Sequence, residues 1–180
     1  MRPMFTVHAG EFLVGQHIEG AFKDKNVWVP TKDVGVDLLV TNSANTKAAT
    51  LQVKFSRDFL PIMKLPPSVL TELKSCTWFS VDQHKLDRST AHYWVLVLLG
   101  FEKRSYDYLL VEPTELMRRY EAIHGLASRY QVYVWLTKQE RAWLTRGLKR
   151  GDQDKIAEGT FQHEDRDLTK YLNWRAIESL

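Results

Sequence analysis

Val34-Gly-Val-Asp-Leu-Leu-Val40, a short polar loop, and Thr50-Leu-Gln-Val-Lys-Phe55 decide the fold of this chain. Both pieces are apolar or β-branched at alternate positions, the period of a strand with one buried face. Val34, Val36, Leu38 and Val40 share one face of the first, which leaves Asp37 on the other with Gly35 and Leu39. Leu51, Val53 and Phe55 share a face of the second, opposite Thr50, Gln52 and Lys54. The linker Asn42-Ser-Ala-Asn-Thr-Lys47 has the composition of a hairpin loop. Folding about Ala44 and Asn45 sets Asp37 roughly opposite Gln52 and Val53, so a carboxylate, an amide oxygen and an ammonium meet on one face. The plain alternative is an exposed Asp–Lys pair on a solvated hairpin. Against it, strands this rich in Val and Leu usually lie centrally and are covered on both faces.

Upstream, Ala9 to Phe22 reads as an amphipathic helix, with Val14, Ile18, Ala21 and Phe22 at helical spacing. Glu11 begins that same inward stripe. An acid in a first turn also complements the helix dipole, but its position just before the hairpin points to a shared site.

Gly10-Glu11 on a first helix, Gly35-Val-Asp37 on a strand and Gln52-Val-Lys54 on the next resemble the PD-(D/E)XK nuclease superfamily. The branch with Gln in the second acidic place, as in Mrr-like restriction endonucleases, is the most similar, and Holliday-junction resolvases share the general layout. The match covers roughly residues 9–56. The chain departs from the pattern in having no Pro before Asp37 and in carrying Gln52 for the second acid.

The resemblance implies an α/β fold with a mixed central sheet flanked by helices. Its α-β-β-β-α-β core would span about residues 9–112, and residues 113–180 would form a C-terminal elaboration of the same single domain. It further implies hydrolysis of DNA phosphodiesters with Mg2+, or with Mn2+ in its place. Asp37 is then the first metal ligand, joined by the Gln52 side-chain oxygen and the Val53 carbonyl. Glu11 ligates directly or through water, and Lys54 holds the attacking water. Restriction, phage defence or DNA repair is the implied setting, with a homodimer or a partner protein of a defence system compatible with it. The rival readings are a DNA-binding module on the same fold that does not cut, and a protein-interaction module in which the polar trio is structural. Asp37, Lys54 and Glu11 standing together favour the enzyme.

The 180 residues suit one domain, and 44% hydrophobic with 26% charged residues describes an ordinary globular chain. No apolar run approaches the length of a membrane span, and Met1-Arg-Pro-Met-Phe lacks the apolar core of a secretory signal. Cys76 is the only cysteine, which excludes an internal disulfide and a cysteine-rich zinc site and fits a reducing cytoplasm. The net charge of +3 permits a nucleic-acid partner without requiring one. Positive charge concentrates in Lys138, Arg141, Arg146, Lys149 and Arg150, a candidate phosphate-contacting run or an ordinary solvated face. There is no His-Glu-x-x-His or other histidine ligand spacing, and no P-loop, nucleophile elbow or dinucleotide fingerprint.

Further elements follow from pattern. Residues 1–8 read as a lead-in or edge strand, and a strand follows at Asn26–Pro30 beyond which Thr31-Lys-Asp33 turns. Pro66-Pro67 opens a helix to Lys74, Trp78–Val81 is a buried turn or short strand, and Asp82–Thr90 reads as polar loop. Strands at 92–101 and 106–111 form a hairpin across Glu102-Lys-Arg-Ser105. A helix at Pro113–His124 and a strand at Tyr130–Leu136 follow. Thr137-Lys-Gln-Glu140 has the form of a capping box, which predicts a helix to Gly147, and Asp167–Ser179 reads as a last helix.

Overall fold

The computed structural model describes residues 9–32, 35–100 and 105–180. The lead-in at 1–8, Asp33 of the turn, Val34 of the first strand and the tip of the 101–104 hairpin lie outside the described residues.

The chain is a mixed α/β fold. Helix α1 (Ala9–Ala21) leads into strands β1 (Lys25–Trp28), β2 (Leu38–Asn42) and β3 (Ala48–Phe55). Then come α2 (Pro67–Leu70), β4 (Leu73–Asp82) and α3 (Gln83–Asp87), followed by β5 (Tyr93–Gly100) and β6 (Ser105–Val111). Helix α4 (Pro113–His124), β7 (Arg129–Thr137), β8 (Ala142–Leu144), α5 (Arg150–Ala157) and α6 (Arg175–Glu178) complete the order. A five-stranded sheet runs β1-β2-β3-β5-β6, and β4-β7-β8 form a second sheet. Every pair in the larger sheet is antiparallel except β3–β5, which is parallel and makes the sheet mixed.

Both faces of the larger sheet are covered. On one, Val14 and Ile18 of α1 pack with Leu38, Val40, Leu51 and Val53, joined by Trp174 and Ile177 from the C-terminal segment. On the other, Trp94, Leu96 and Leu98 of β5 pack against the second sheet, α3 and α4. The alternation of β5 therefore feeds two cores, which is why its sequence is apolar almost without interruption. No helix among the described residues is long and apolar enough to cross a membrane.

Three expected elements differ. The helix from Pro66 to Lys74 stops at Leu70, because Leu73 onward forms β4, a ten-residue strand paired along most of its length with β7. No helix starts at Thr137. The Thr137 N–H donates to the Arg141 carbonyl at 2.9 Å and its hydroxyl accepts the Arg141 N–H, closing a β7–β8 hairpin in which Glu140 adopts a positive φ of 56°. The last helix shrinks to a 3-10 turn at Thr169–Leu172 and the single turn of α6. The 82–90 stretch is the opposite case, since α3 forms where a loop was expected, with the Asp82 carboxylate accepting the Lys85 N–H at 3.1 Å. Residues beyond 112 are interleaved with the part before them, since β7 pairs with β4.

Candidate active-site cleft

The β2–β3 hairpin has the register that its sequence implies. Thr41 faces Ala48 and Leu38 faces Leu51, so the chain folds about Ala44 and Asn45. Asn45 sits at φ 55° in the turn, and the Asn42 side chain accepts the N–H groups of Thr46 and Lys47. The ladder ends at Leu38 and Leu51, and beyond it Asp37 stays bonded to β3 through Leu51 and Val53. Asp37 donates its N–H to the Leu51 carbonyl at 2.8 Å, and its Oδ2 accepts the Val53 N–H at 2.7 Å. The side chain of Asp37 thus continues the ladder after the β2 backbone has turned away.

That substitution opens the sheet. β2 pairs with β3 only as far as Leu51, whereas β3 runs on to Phe55. Among the described residues, 52–55 keep β5 on one side and have no strand on the other. The N–H and C=O of one strand residue point to the same edge, so Val53, whose N–H meets Asp37, directs its carbonyl to the open side. Gln52 and Lys54 point to one face of the sheet, and α1 packs on the other through Val53. At the open edge the two faces meet, and the first turn of α1 can share a cleft with residues from the far side.

Gly10 and Gly35 make this approach possible. A Cβ at Gly10 would lie 2.5 Å from Phe55 Cβ and 3.3 Å from Val53 Cγ1, so only glycine lets α1 sit this close to β3. Glu11, the next residue, is 4% exposed and buried beside Val14 and Ile18 on the inward stripe. Gly35 adopts φ +83°, a conformation natural to glycine, in the turn that aims Asp37.

A cleft of about 920 Å³ results, lined by Glu11, Asp37, Gln52, Val53 and Lys54 together with His84, Lys85, Arg88, Ser89 and Thr90. All five residues that the resemblance named as ligands or catalytic groups border this one space. Lys54 Nζ lies 4.7 Å from the centre of the Trp94 ring, and the Trp94 indole N–H donates to Ser89 Oγ at 2.8 Å. Trp94 is 1% exposed, so the ring is a fixed floor beneath the ammonium.

The basic run lies elsewhere, and none of its members lines the cleft. Arg141 bonds the Gly159 carbonyl at 3.1 Å, stands 3.8 Å from the Asp167 carboxylate and stacks on Trp143. Arg150 pairs with Asp154 one helical turn on, and Arg146 bonds Gln131. Lys138 and Lys149 are exposed. Three members of the run are thus engaged separately with other parts of the fold. The cations that do face the cleft, on α3, come from a stretch whose sequence carries no periodic signal; the one local cue is Asp82 three residues before Lys85, a helix cap.

Compared with family models, curated proteins and solved structures, the chain finds no match in any of the three.

Proposed function

We propose that this chain is a metal-dependent DNA endonuclease built on a restriction-endonuclease-like core. The observation that carries the reading is the meeting of Glu11, Asp37, Gln52 and Lys54 around the open end of β3. The order α1-β1-β2-β3, a crossover, then β5 parallel to β3 supports the core assignment, although a strand and two short helices stand where one crossover helix was expected.

The donor set suits magnesium. Two carboxylates, an amide oxygen and the Val53 carbonyl are all hard oxygen ligands, and Mg2+ typically takes one or two carboxylates while keeping waters and a phosphate oxygen. Among the described residues no group of three or more His, Cys, Asp and Glu side chains has metal-holding geometry, so Gln52 and Val53 are needed to complete the set. Bound there, magnesium supplies positive charge against the phosphate and lowers the pKa of a coordinated water.

The chain's own groups do the rest. The Val53 N–H fixes the plane of the Asp37 carboxylate, as outer hydrogen bonds commonly orient a ligand. Lys54 donates a hydrogen bond to the water that attacks phosphorus and offsets charge developing on the phosphoryl oxygens. Trp94 beneath it limits the directions its ammonium can take.

A second reading, DNA binding without cleavage, is favoured by the neutral Gln52 at the place of an acid. Plasmid nicking with and without Mg2+ or Mn2+ separates the two. Cleavage lost in Asp37→Ala and in Lys54→Ala supports the enzyme. No nicking of any DNA form by the unmodified chain with either ion removes it.

A further inference from the structure

We propose that α3 is the backbone clamp of the cleft, with His84, Lys85 and Arg88 gripping the phosphodiester backbone of a DNA strand laid between α3 and the open end of β3. The inference deepens the reading of the cleft as a DNA site and rests on it. It assigns the electrostatic contact to α3, away from the basic run at 138–150.

The charge on α3 is sorted by face. His84, Lys85 and Arg88 border the cleft, across from Gln52 and Lys54. Leu86 is buried at 1% exposure and anchors the helix in the core. Asp87 lines a separate cavity, on the side of Glu112 and Glu121, so the one acid within α3 is kept out of the cleft.

Lys85 and Arg88 are the cations of this wall, with His84 beside them. Several other basic groups are paired with the fold's own acids: Arg118 and Arg119 with Glu115, Arg150 with Asp154, Lys74 with Asp107. Among the described residues the side chains of His84, Lys85 and Arg88 take part in no hydrogen bond or ion pair. The two exposed cations, Lys85 and Arg88, with the His84 imidazole beside them as a hydrogen-bonding group, attract an anion whose charges repeat along its length. A nucleic-acid backbone has that form, and its phosphates release counterions when basic groups neutralise them.

The clamp is held at a fixed distance from the site. Asp82 caps α3, and the Gln83 N–H donates to the Ser128 carbonyl at 3.0 Å. Just past the helix, Ser89 Oγ accepts the indole N–H of Trp94, the ring that carries the Lys54 ammonium. The segment that carries the clamp is therefore tied to the ring beneath Lys54.

The test is anisotropy of a fluorescein-labelled duplex, and of one of its strands alone, titrated with the full chain in EDTA over a range of salt. Binding without metal keeps the readout separate from cleavage. Lys85→Ala/Arg88→Ala alters two exposed side chains, so circular dichroism should be unchanged. The expected result is weaker binding and a plot of log K against log salt flatter by about 0.9 per lost contact on duplex, or about 0.7 on the single strand. Lys138→Ala/Lys149→Ala should leave that slope in place. An unchanged slope in the α3 variant, a larger change in the 138/149 variant, or no binding of either DNA by the unmodified chain overturns the clamp. If the α3 variant flattens the slope while no metal supports nicking, the clamp stands and the cutting reading falls. Nicking by a chain whose α3 variant keeps its slope gives the reverse.

Discussion

Asp37 Oδ2 accepts the Val53 N–H at 2.7 Å, so one carboxylate both ends the β2–β3 ladder and faces the cleft. Its two roles respond differently to substitution. Asp37→Asn keeps an oxygen acceptor for Val53 and removes the charge; it should fold with near-native stability and lose metal binding and cleavage. Asp37→Ala also strands the Val53 N–H on a residue that is 9% exposed, at a cost of about 1–3 kcal/mol. Urea unfolding beside a nicking assay distinguishes them, and equal stability of the two variants would show that the hydrogen bond contributes little.

Gly10→Ala should destabilise the fold by about 1–3 kcal/mol, because the added methyl meets Phe55 Cβ at 2.5 Å and neither α1 nor β3 can move without disturbing a packed core. The shift also carries Glu11 away from the cleft, so activity should fall further than stability alone explains. Gly20→Ala is the control on the same helix. Nothing lies within 4 Å of its added Cβ, and the gain in helix propensity should stabilise by about 0.5–1 kcal/mol. Thermal unfolding that moves the same way for both would refute the close-approach argument.

Acid sensitivity should arise outside the lining of the cleft, at Glu115. Arg118, donating to it at 2.9 and 3.1 Å, is the main cause of a carboxyl held down to about 2, with Tyr171 and Arg119 adding to it against partial burial. Arg119 also bonds the Glu164 and Asp167 carbonyls, tying α4 to the C-terminal segment. The folded chain holds this proton more weakly than the unfolded one. Its contribution is therefore complete above about pH 4.5 and is lost as pH falls from there through about 2. Glu115→Gln should be less stable at neutral pH and lose less on acidification. Urea midpoints at pH 7 and pH 3 test this, and equal losses in both proteins would exclude Glu115 as the source.

Much of the cleft was legible in the sequence because the hairpin carries its own register. Alternation in 50–55, a turn-forming linker and a strand pair folding about Ala44 and Asn45 are local signals, and they sufficed to set the β2–β3 register that brings Asp37 beside Val53. β4 was hidden because its inward face includes Ser75 and Thr77, both fully buried, where an apolar alternation would need hydrophobic residues. The helix expected after Thr137 failed for a tertiary reason. Trp135 and Trp143 are cross-strand partners in a buried hairpin, and their burial overrides a four-residue capping pattern. The cations of α3 were illegible as a site because only the crossover from β3 to β5 brings 84–88 over the cleft.

Position 52 separates the proposed endonuclease from a module that only binds. Gln52 borders the cleft with Asp37 and Glu11. Gln52→Glu keeps the reach of the side chain and adds a negative charge. At an effective dielectric of about 20, a unit charge near a divalent ion is worth several kcal/mol before desolvation is subtracted. Magnesium affinity measured by calorimetry should therefore rise by about tenfold or more, and cleavage should persist at lower magnesium. The metal-free variant holds three carboxylates around one opening and should melt below the unmodified chain. Adding magnesium should then raise its melting temperature by more than it raises that of the unmodified chain, since a ligand that binds only the folded state stabilises in proportion to its affinity. This thermal readout does not depend on turnover. If neither protein responds to magnesium or manganese in melting or calorimetry, Gln52 is not a ligand, and the hairpin face is a polar surface of a module that does not cut.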